Sequence, residues 1–220
     1  MSSTTFDGGV DWGGYEPNPV ARGVRLVKRQ VNFVWEQMPR EEALATYEAL
    51  MSVRVERCEM VIDLVRRQGY EAGFELDGIA EFNRFFLDRL PVYRGADLVN
   101  GTELIGDRWM SVIWDIGLLI GEAAIRRHPV LRWEFYEPGR KNIVGAHGPT
   151  IVARPKGDPV FPLMFLEGYA VAICHPGTIE VVRVKGFDVP LAPPPIRPDL
   201  FLIISATADR RVEEDLEEDV

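Results

Sequence analysis

The chain has 220 residues, of which 46% are hydrophobic and 10% aromatic, so it can bury a full hydrophobic core. Its formal net charge is −9, and six carboxylates fall within residues 213–220, which leaves the rest of the chain only mildly acidic. This balance excludes the broad basic surface that drives nucleic-acid binding. The chain contains no run of about 20 predominantly apolar residues, so we expect neither a membrane-spanning helix nor a membrane as its partner.

Cysteine content and the N-terminus bear on the cellular compartment. The chain contains two cysteines, too few for a disulfide framework. A basic start followed by an apolar stretch, as in a secretory signal, is not seen. We therefore expect a cytoplasmic protein with reduced thiols. Arginines outnumber lysines by 21 to 4, which we interpret as the bias of a GC-rich bacterial genome.

Residues 1–18 are rich in glycine, serine and threonine and are followed by Pro19, a composition that predicts a flexible N-terminal lead. Trp12 and Tyr15 are unusual in a segment of this kind. We expect these two aromatic side chains to dock onto the body of the protein or to bind a partner.

A first amphipathic helix is predicted from Pro19 to Gln37. Its apolar side consists of valines three and four residues apart, namely Val20, Val24, Val27, Val31 and Val34. The opposite side carries a basic cluster, namely Arg22, Arg25, Lys28 and Arg29. Such a cluster is either a solvated face or a docking surface for an acidic partner, which includes the protein's own acidic tail.

A second helix is predicted from Arg40 to Gln68, and it should form an antiparallel hairpin with the first. Its main apolar stripe is Leu44, Tyr47, Met51, Val55, Cys58, Ile62 and Val65. A second apolar line widens the buried face, namely Leu50, Val53, Met60, Val61 and Leu64. The hairpin is therefore expected to pack on further structure or on another subunit.

A third helix, with Asp77 as N-cap, is expected to run through Leu90. The central helix that follows is apolar on most sides and stops at His128-Pro129. Its narrow polar stripe consists of Arg108, Ser111, Asp115, Glu122 and Arg126. The pattern then changes to strict alternation, which predicts a strand with Leu131, Trp133 and Phe135 facing the core.

The second half alternates between strands and one ambiguous segment. A returning strand is predicted over Thr150–Ala153, and residues 160–174 fit a buried helix capped by Asp158 or, alternatively, a strand. Further strands are predicted over Thr178–Phe187 and Phe201–Ser205. Together the elements predict an α+β fold in which an N-terminal helical hairpin and further helices pack on a small, mainly antiparallel sheet.

This pattern divides the chain into three parts. Residues 1–18 form the flexible lead, residues 19–206 form a single α+β domain, and residues 207–220 form an acidic tail that we expect to be disordered.

The candidate catalytic residues are Asp115, Glu122 and His147. The two carboxylates stand seven residues apart on one helix, about 10 Å along its axis, which is near the upper separation for an inverting glycosidase. The simpler interpretation is structural, because Glu122 precedes Arg126 by four residues in the orientation of a helical ion pair. No nucleophile elbow, phosphate loop or zinc-protease motif occurs in the chain.

A metal site is not predicted. His147, Cys174 and His175 are suitable zinc ligands by chemistry, but their spacing matches no recurrent zinc motif, and adjacent residues rarely point at one ion. We expect no cofactor either.

The run Asp115-Ile116-Gly117-Leu118-Leu119-Ile120-Gly121-Glu122, then His128-Pro129 and Leu131-Arg132-Trp133, is similar to a helix-to-strand motif of small bacterial domains of unknown function. In those domains a Gly-Glu pair late in a buried helix precedes a tryptophan on a strand. The resemblance covers residues 77–175. It implies an α+β fold and a bacterial origin, and it brings no activity, cofactor or catalytic residue.

These observations favour a non-catalytic protein-interaction module: an adaptor, an immunity-type inhibitor or an assembly subunit. Its expected partner is another protein or further copies of the chain. The partner-binding residues would be the aromatic pair and the basic cluster, namely Trp12, Tyr15, Arg22, Arg25, Lys28 and Arg29. The alternative is a small hydrolase that uses the carboxylates of the central helix.

Overall fold

A computed structural model describes residues 9–27, 30–32, 35, 38–93, 103–137, 147–154, 158–176, 181–184, 187–190 and 199–217. These residues contain five helices and three small antiparallel sheets, so the predicted α+β class is confirmed. Within this part of the chain, no helix is long and apolar enough to cross a bilayer.

The N-terminal sheet is the main departure from the sequence prediction. Strand β1 (Val24–Val27) pairs antiparallel with strand β2 (Gln30–Asn32), so the helix predicted from Pro19 to Gln37 is wrong, and with it the helical hairpin. Strand β3 (Glu103–Ile105) pairs with the other edge of β1. Valine favours extended backbone because its branched Cβ restricts rotamers in a helix, and the third strand completes the hydrogen bonding of β1.

Helix α1 (Arg40–Arg67) confirms the predicted second helix. Pro39 precedes it, and Gly69, with φ of +89°, follows its end. Most of its buried residues come from the two predicted apolar lines, but Ala43 and Arg57 do not, and Val55 of the main line is exposed. The buried residues are Ala43, Leu50, Arg57, Cys58, Val61, Ile62, Leu64 and Val65. The apolar periodicity does not explain the buried arginine among them.

Helix α2 (Leu76–Arg89) has the predicted extent to within two residues, although Glu75 rather than Asp77 is its N-cap. Helix α3 (Asp107–Arg127) follows β3 and is the centre of the molecule. Every residue from Trp109 to Gly121 is buried, because α3 contacts α1 and two helices described below. The prediction of a helix buried on most sides is confirmed.

Strand β4 (Arg132–Phe135) pairs antiparallel with strand β5 (Pro149–Val152), with Trp133 opposite Ile151. Both strands were expected from the alternating pattern. Leu131 is buried, whereas Trp133 and Phe135 are half-buried and pack against the core from its margin. The strand therefore faces the core as predicted, but its tryptophan is not fully enclosed.

Helix α4 (Pro162–Cys174) settles the ambiguous segment as a helix. Its N-cap is Phe161, not Asp158, because Val160 is still extended and forms a bridge with Ile151. Strands β6 (Val181–Val184) and β7 (Phe187–Pro190) form a hairpin where one strand was predicted.

Helix α5 (Leu200–Glu217) contradicts two expectations. The strand predicted over Phe201–Ser205 is wrong, and the tail expected to be disordered from residue 207 is helical as far as Glu217. The buried residues of α5 lie on one helical face, at successive spacings of three, one, three and four, and are Phe201, Ile204, Ser205, Ala208 and Val212. This helical stripe extends across the predicted tail boundary and packs on α2 and α3.

Candidate functional site

The N-terminal strap, defined as residues 9–23, crosses the surface of α1 and α3. Asp11 and Gln68 fix its start, because the Asp11 amide donates to Gln68 Oε1 at 3.1 Å and Gln68 Nε2 donates to the Asp11 carbonyl at 2.7 Å. Trp12 packs edge-on against Trp109, with ring centroids 5.6 Å apart. Of the predicted lead, residues 9–18 are therefore docked on the body, and residues 1–8 lie outside the described residues.

The middle of the strap enters a buried polar cluster formed by Tyr15, Arg57, Ser111 and Asp115. The Tyr15 hydroxyl donates to Asp115 Oδ2 at 2.5 Å and lies 2.8 Å from Ser111 Oγ. Arg57 donates through Nε to both Asp115 oxygens, at 3.0 and 3.1 Å, and through Nη2 to Oδ2. All four residues are buried, so the strap is latched to α1 and α3 by charged and polar contacts.

The strap backbone is part of the same network. Arg57 Nη1 donates to the Glu16 carbonyl at 2.8 Å, and the Asn18 amide donates to Ser111 Oγ at 2.6 Å. Further along, the Gly23 amide donates to Asp107 Oδ1 at the first turn of α3. Asn18 is buried, so its bond to Ser111 satisfies a backbone donor that lies away from water.

Burial controls the protonation of this cluster. Desolvation raises the pKa of Asp115 to about 6, in opposition to the Arg57 guanidinium and the Tyr15 hydroxyl, which lower it. Desolvation, with the nearby Asp115 charge, raises the pKa of Tyr15 well above its usual value, so this hydroxyl stays protonated and remains a donor. Because Arg57 and Tyr15 occupy the Asp115 oxygens, the carboxylate is closed to a substrate.

Glu122 lies two turns after Asp115 on the same face of α3 and has different partners from those expected. Its Oε1 accepts from Arg54 Nε and from Trp133 Nε1, each at 2.9 Å. The predicted ion pair with Arg126 is wrong, because the Arg126 guanidinium lies over the Phe74 ring. Arg54 on the neighbouring helix α1 reaches the carboxylate instead, so Glu122 ties α1, α3 and β4 together.

His147 belongs to the sheet margin. Its amide donates to the Tyr136 carbonyl at 2.8 Å, and its ring stacks on Phe135 with centroids 5.9 Å apart. Its φ of +68° places it at a turn. The contacts of His147 are thus separate from those of Asp115 and Glu122, and the three residues do not form one constellation.

The three residues considered for a metal site, His147, Cys174 and His175, do not form a ligand set. His175 is buried, its Nε2 lies 2.9 Å from the Leu104 carbonyl, and burial lowers its pKa. Burial likewise raises the pKa of the Cys58 and Cys174 thiols, both of which are free and enclosed. Among the described residues, no group of three His, Cys, Asp or Glu side chains could hold a metal ion.

The predicted basic cluster has only one side chain in the described part of the chain. Arg22 is exposed, and its Nη1 donates to the carbonyls of Pro19 and Ala21. Arg25 is placed on β1 by its backbone alone, and Lys28 and Arg29 lie outside the described residues. The partner-binding role of the cluster stays a prediction.

A groove lies where the strap runs beside α1, and we call it the α1 groove. Its volume is about 340 Å³, and it is lined by Glu16, Pro17, Asn18, Pro19, Val20, Ala49, Ser52, Val53, Glu56, Arg57 and Met60. Its floor includes Arg57, whose guanidinium is already neutralised by Asp115. The carboxylates of Glu16 and Glu56 are exposed, and within the described residues neither forms an ion pair or hydrogen bond.

The sequence contains a signal for this site that the prediction did not use. Arg57 lies four residues after Val53 and four before Val61, on the second apolar line of α1. A charged residue on a buried line requires a buried partner. Asp115, the carboxylate in the middle of the most apolar helix, requires the same, so the pair could have been proposed from burial alone.

Comparison with known proteins gives no relative for this chain: no protein-family model, no curated protein and no solved structure matches it.

Proposed function

We propose that this chain is a non-catalytic protein-interaction module, which we place in the bacterial cytoplasm on its composition. The observation that carries the proposal is the engagement of the candidate catalytic carboxylates. Asp115 is held by Arg57 and Tyr15, and Glu122 by Arg54 and Trp133. Asp115 is fully buried and both of its oxygens accept hydrogen bonds, whereas Glu122 accepts from α1 and β4 through Oε1 alone. These contacts favour a structural role for both carboxylates, which connect neighbouring elements.

One open feature of the described surface is the α1 groove, which lies beside the buried polar cluster but does not include the Asp115 carboxylate. Its volume of about 340 Å³ suits the side chains of a short segment from a partner. Pro17, Pro19, Val53 and Met60 supply apolar surface, and methionine adapts to different partner shapes. An adaptor, inhibitor or assembly subunit would use such a surface without chemistry.

The test compares binding and turnover in the same preparations. We expect the full chain to show no turnover of ester, phosphoester or glycoside substrates, and we expect it to form a stable complex with a defined partner isolated by affinity capture. The folded Glu122→Gln variant should retain that complex. Turnover by the wild type that is lost in folded Glu122→Gln would overturn the proposal and restore the hydrolase alternative.

A further inference from the structure

We infer that the α1 groove binds a basic, aliphatic peptide segment of a partner protein. This inference rests on the proposed interaction function and adds its site and the chemistry of its ligand. It starts from the contrast between the floor of the groove and its rim. The floor is largely apolar, whereas the charges that remain accessible are the carboxylates of Glu16 on the strap and Glu56 on α1.

Acidic residues outnumber basic ones on the stretch of α1 that borders the groove. Its exposed carboxylates are Glu48, Glu56, Glu59 and Asp63, whereas its two arginines, Arg54 and Arg57, are paired with Glu122 and Asp115. Glu56 and Asp63 share a helix face with Ala49 and Met60, because positions 49, 56, 60 and 63 follow each other at spacings of seven, four and three. Arg22, close to Pro19, remains a cation although its Nη1 donates to two carbonyls, so the accessible negative charge lies on the α1 wall and at Glu16. These carboxylates favour a cationic ligand on that side of the groove.

The apolar lining of the groove determines the uncharged part of the ligand. Val20, Val53 and Met60 are half-buried, and Ala49, Pro17 and Pro19 are exposed beside them, so aliphatic side chains can cover surface that now faces water. Arginine or lysine at either end of the aliphatic residues would reach Glu16 and Glu56. A second copy of the chain fits less well, because its net charge of −9 repels an acidic surface.

The two walls of the groove are held in place by contacts within the fold. One wall is the strap at residues 16–20, which is fixed through Arg57 Nη1 to Glu16 and through Ser111 to Asn18. The other wall is the long helix α1. Because both walls are held by the same buried cluster, a ligand meets a preformed site and loses less affinity to ordering of the protein.

The test selects ligands from a phage-displayed library of random 12-residue peptides on the immobilised full chain. We expect enriched peptides to combine arginine or lysine with leucine, isoleucine, valine or methionine. The charge-reversed variant Glu16→Lys/Glu56→Lys should weaken the enriched peptide by at least about tenfold, since like charges then face each other. Ala49→Trp, which fills the groove from an exposed helix position, should weaken it as well.

Glu71→Lys is the matched control, because Glu71 is exposed and lines a different acidic depression with Asp77 and Glu81. This variant should bind the peptide as the wild type does. The inference would be overturned if Glu71→Lys lost peptide binding while the groove variants kept it. Enrichment of acidic peptides, or of no peptides at all, would overturn it as well. Light scattering that shows a dimer broken by Ala49→Trp would also overturn it, in favour of a second copy. A partner complex that survives Glu16→Lys/Glu56→Lys would contradict the groove while leaving the interaction function intact.

Discussion

Single residues determine whether the strap stays on the body, and the Arg57–Asp115 pair is the clearest case. Both side chains are almost fully enclosed, with 6% and 0% of their area exposed. A buried pair gains little over an apolar pair, but removal of one partner leaves the other charge in a medium that solvates it poorly. The pair therefore matters mainly for specifying where the strap and α1 meet α3.

Asp115→Asn should lower the free energy of unfolding by about 3 to 5 kcal/mol, because it leaves the buried Arg57 charge without a counter-ion. Urea unfolding measures this directly. Arg40→Gln is the control, since the Arg40–Glu137 pair is half-exposed, and the variant should unfold at nearly the wild-type urea concentration. A loss below about 1 kcal/mol for Asp115→Asn would mean that the buried polar cluster contributes little to the free energy of unfolding.

The protonation of Asp115 gives a second prediction at this scale. Its pKa of about 6 in the folded chain exceeds the usual value near 3.9 in an unfolded one, so the folded state binds the proton more tightly. The stabilising contribution of this group is full below about pH 4 and declines as the pH rises towards 6. Carboxyl-carbon NMR of the wild type should show an Asp115 midpoint near 6; a midpoint below 4 would contradict the dominance of desolvation.

Gly121 makes a third prediction, because a Cβ at this position would lie 2.1 Å from Cζ2 of Trp133. Gly121→Ala should therefore destabilise the fold by about 1 to 3 kcal/mol through overpacking. Gly168→Ala in α4 is the contrasting variant, since its Cβ would meet no atom within 4 Å, and it should stabilise the helix by about 0.5 to 1 kcal/mol. Equal effects of the two substitutions in thermal unfolding would refute the close contact.

At the scale of elements, the sequence is informative where a periodic pattern is long. Helices α1, α2 and α3 and the β4–β5 pair were predictable because their apolar residues repeat over several turns or alternate strictly. The β1–β2 hairpin was not, since valines three and four apart satisfy a helical pattern while their branched side chains favour strands. The pairing of β1 with β3, about 80 residues away, decides the outcome.

Helix α5 shows the opposite failure. Its first residues, Leu200–Ile204, form a short apolar run that periodicity cannot assign, and its later carboxylates indicate disorder. The spacing of Ala208 and Val212 continues the buried stripe, and Asp209 accepts from Arg127 Nη2 at 2.9 Å. Tertiary contacts with α3 thus order a segment whose composition alone suggests a tail.

A truncation tests this assignment of α5. A chain that ends at Thr207 loses Ala208, Val212 and the Asp209 contacts, so its free energy of unfolding should fall by at least about 2 kcal/mol. A chain that ends at Glu213 keeps these groups and serves as the control, with a smaller loss expected. Identical urea transitions for both truncated chains and the full chain would show that the C-terminal half of α5 does not pack.

The whole molecule joins these features into one arrangement. Helix α3 is enclosed by α1, α4 and α5. Its polar residues Ser111 and Glu122 hold the strap, α1 and β4 in place through hydrogen bonds. The candidate site could be predicted only in part: Tyr15 and Asp115 are visible as an odd aromatic and a buried carboxylate. Their meeting with Arg57, and the groove beside them, depends on tertiary contacts that no local pattern encodes.

The central claim is that the molecule works by binding a partner segment in the α1 groove, and not by catalysis at the α3 carboxylates Asp115 and Glu122. The most direct measurement is an amide NMR titration of the full chain with a synthetic peptide of alternating leucine and arginine. The account predicts chemical-shift changes confined to residues 16–20 and 49–60. The affinity for the peptide should fall as added salt shortens the screening length to below about 8 Å. Shifts at Gly69–Arg84, or shifts at Asp115 and Glu122 with the groove amides unchanged, would contradict it.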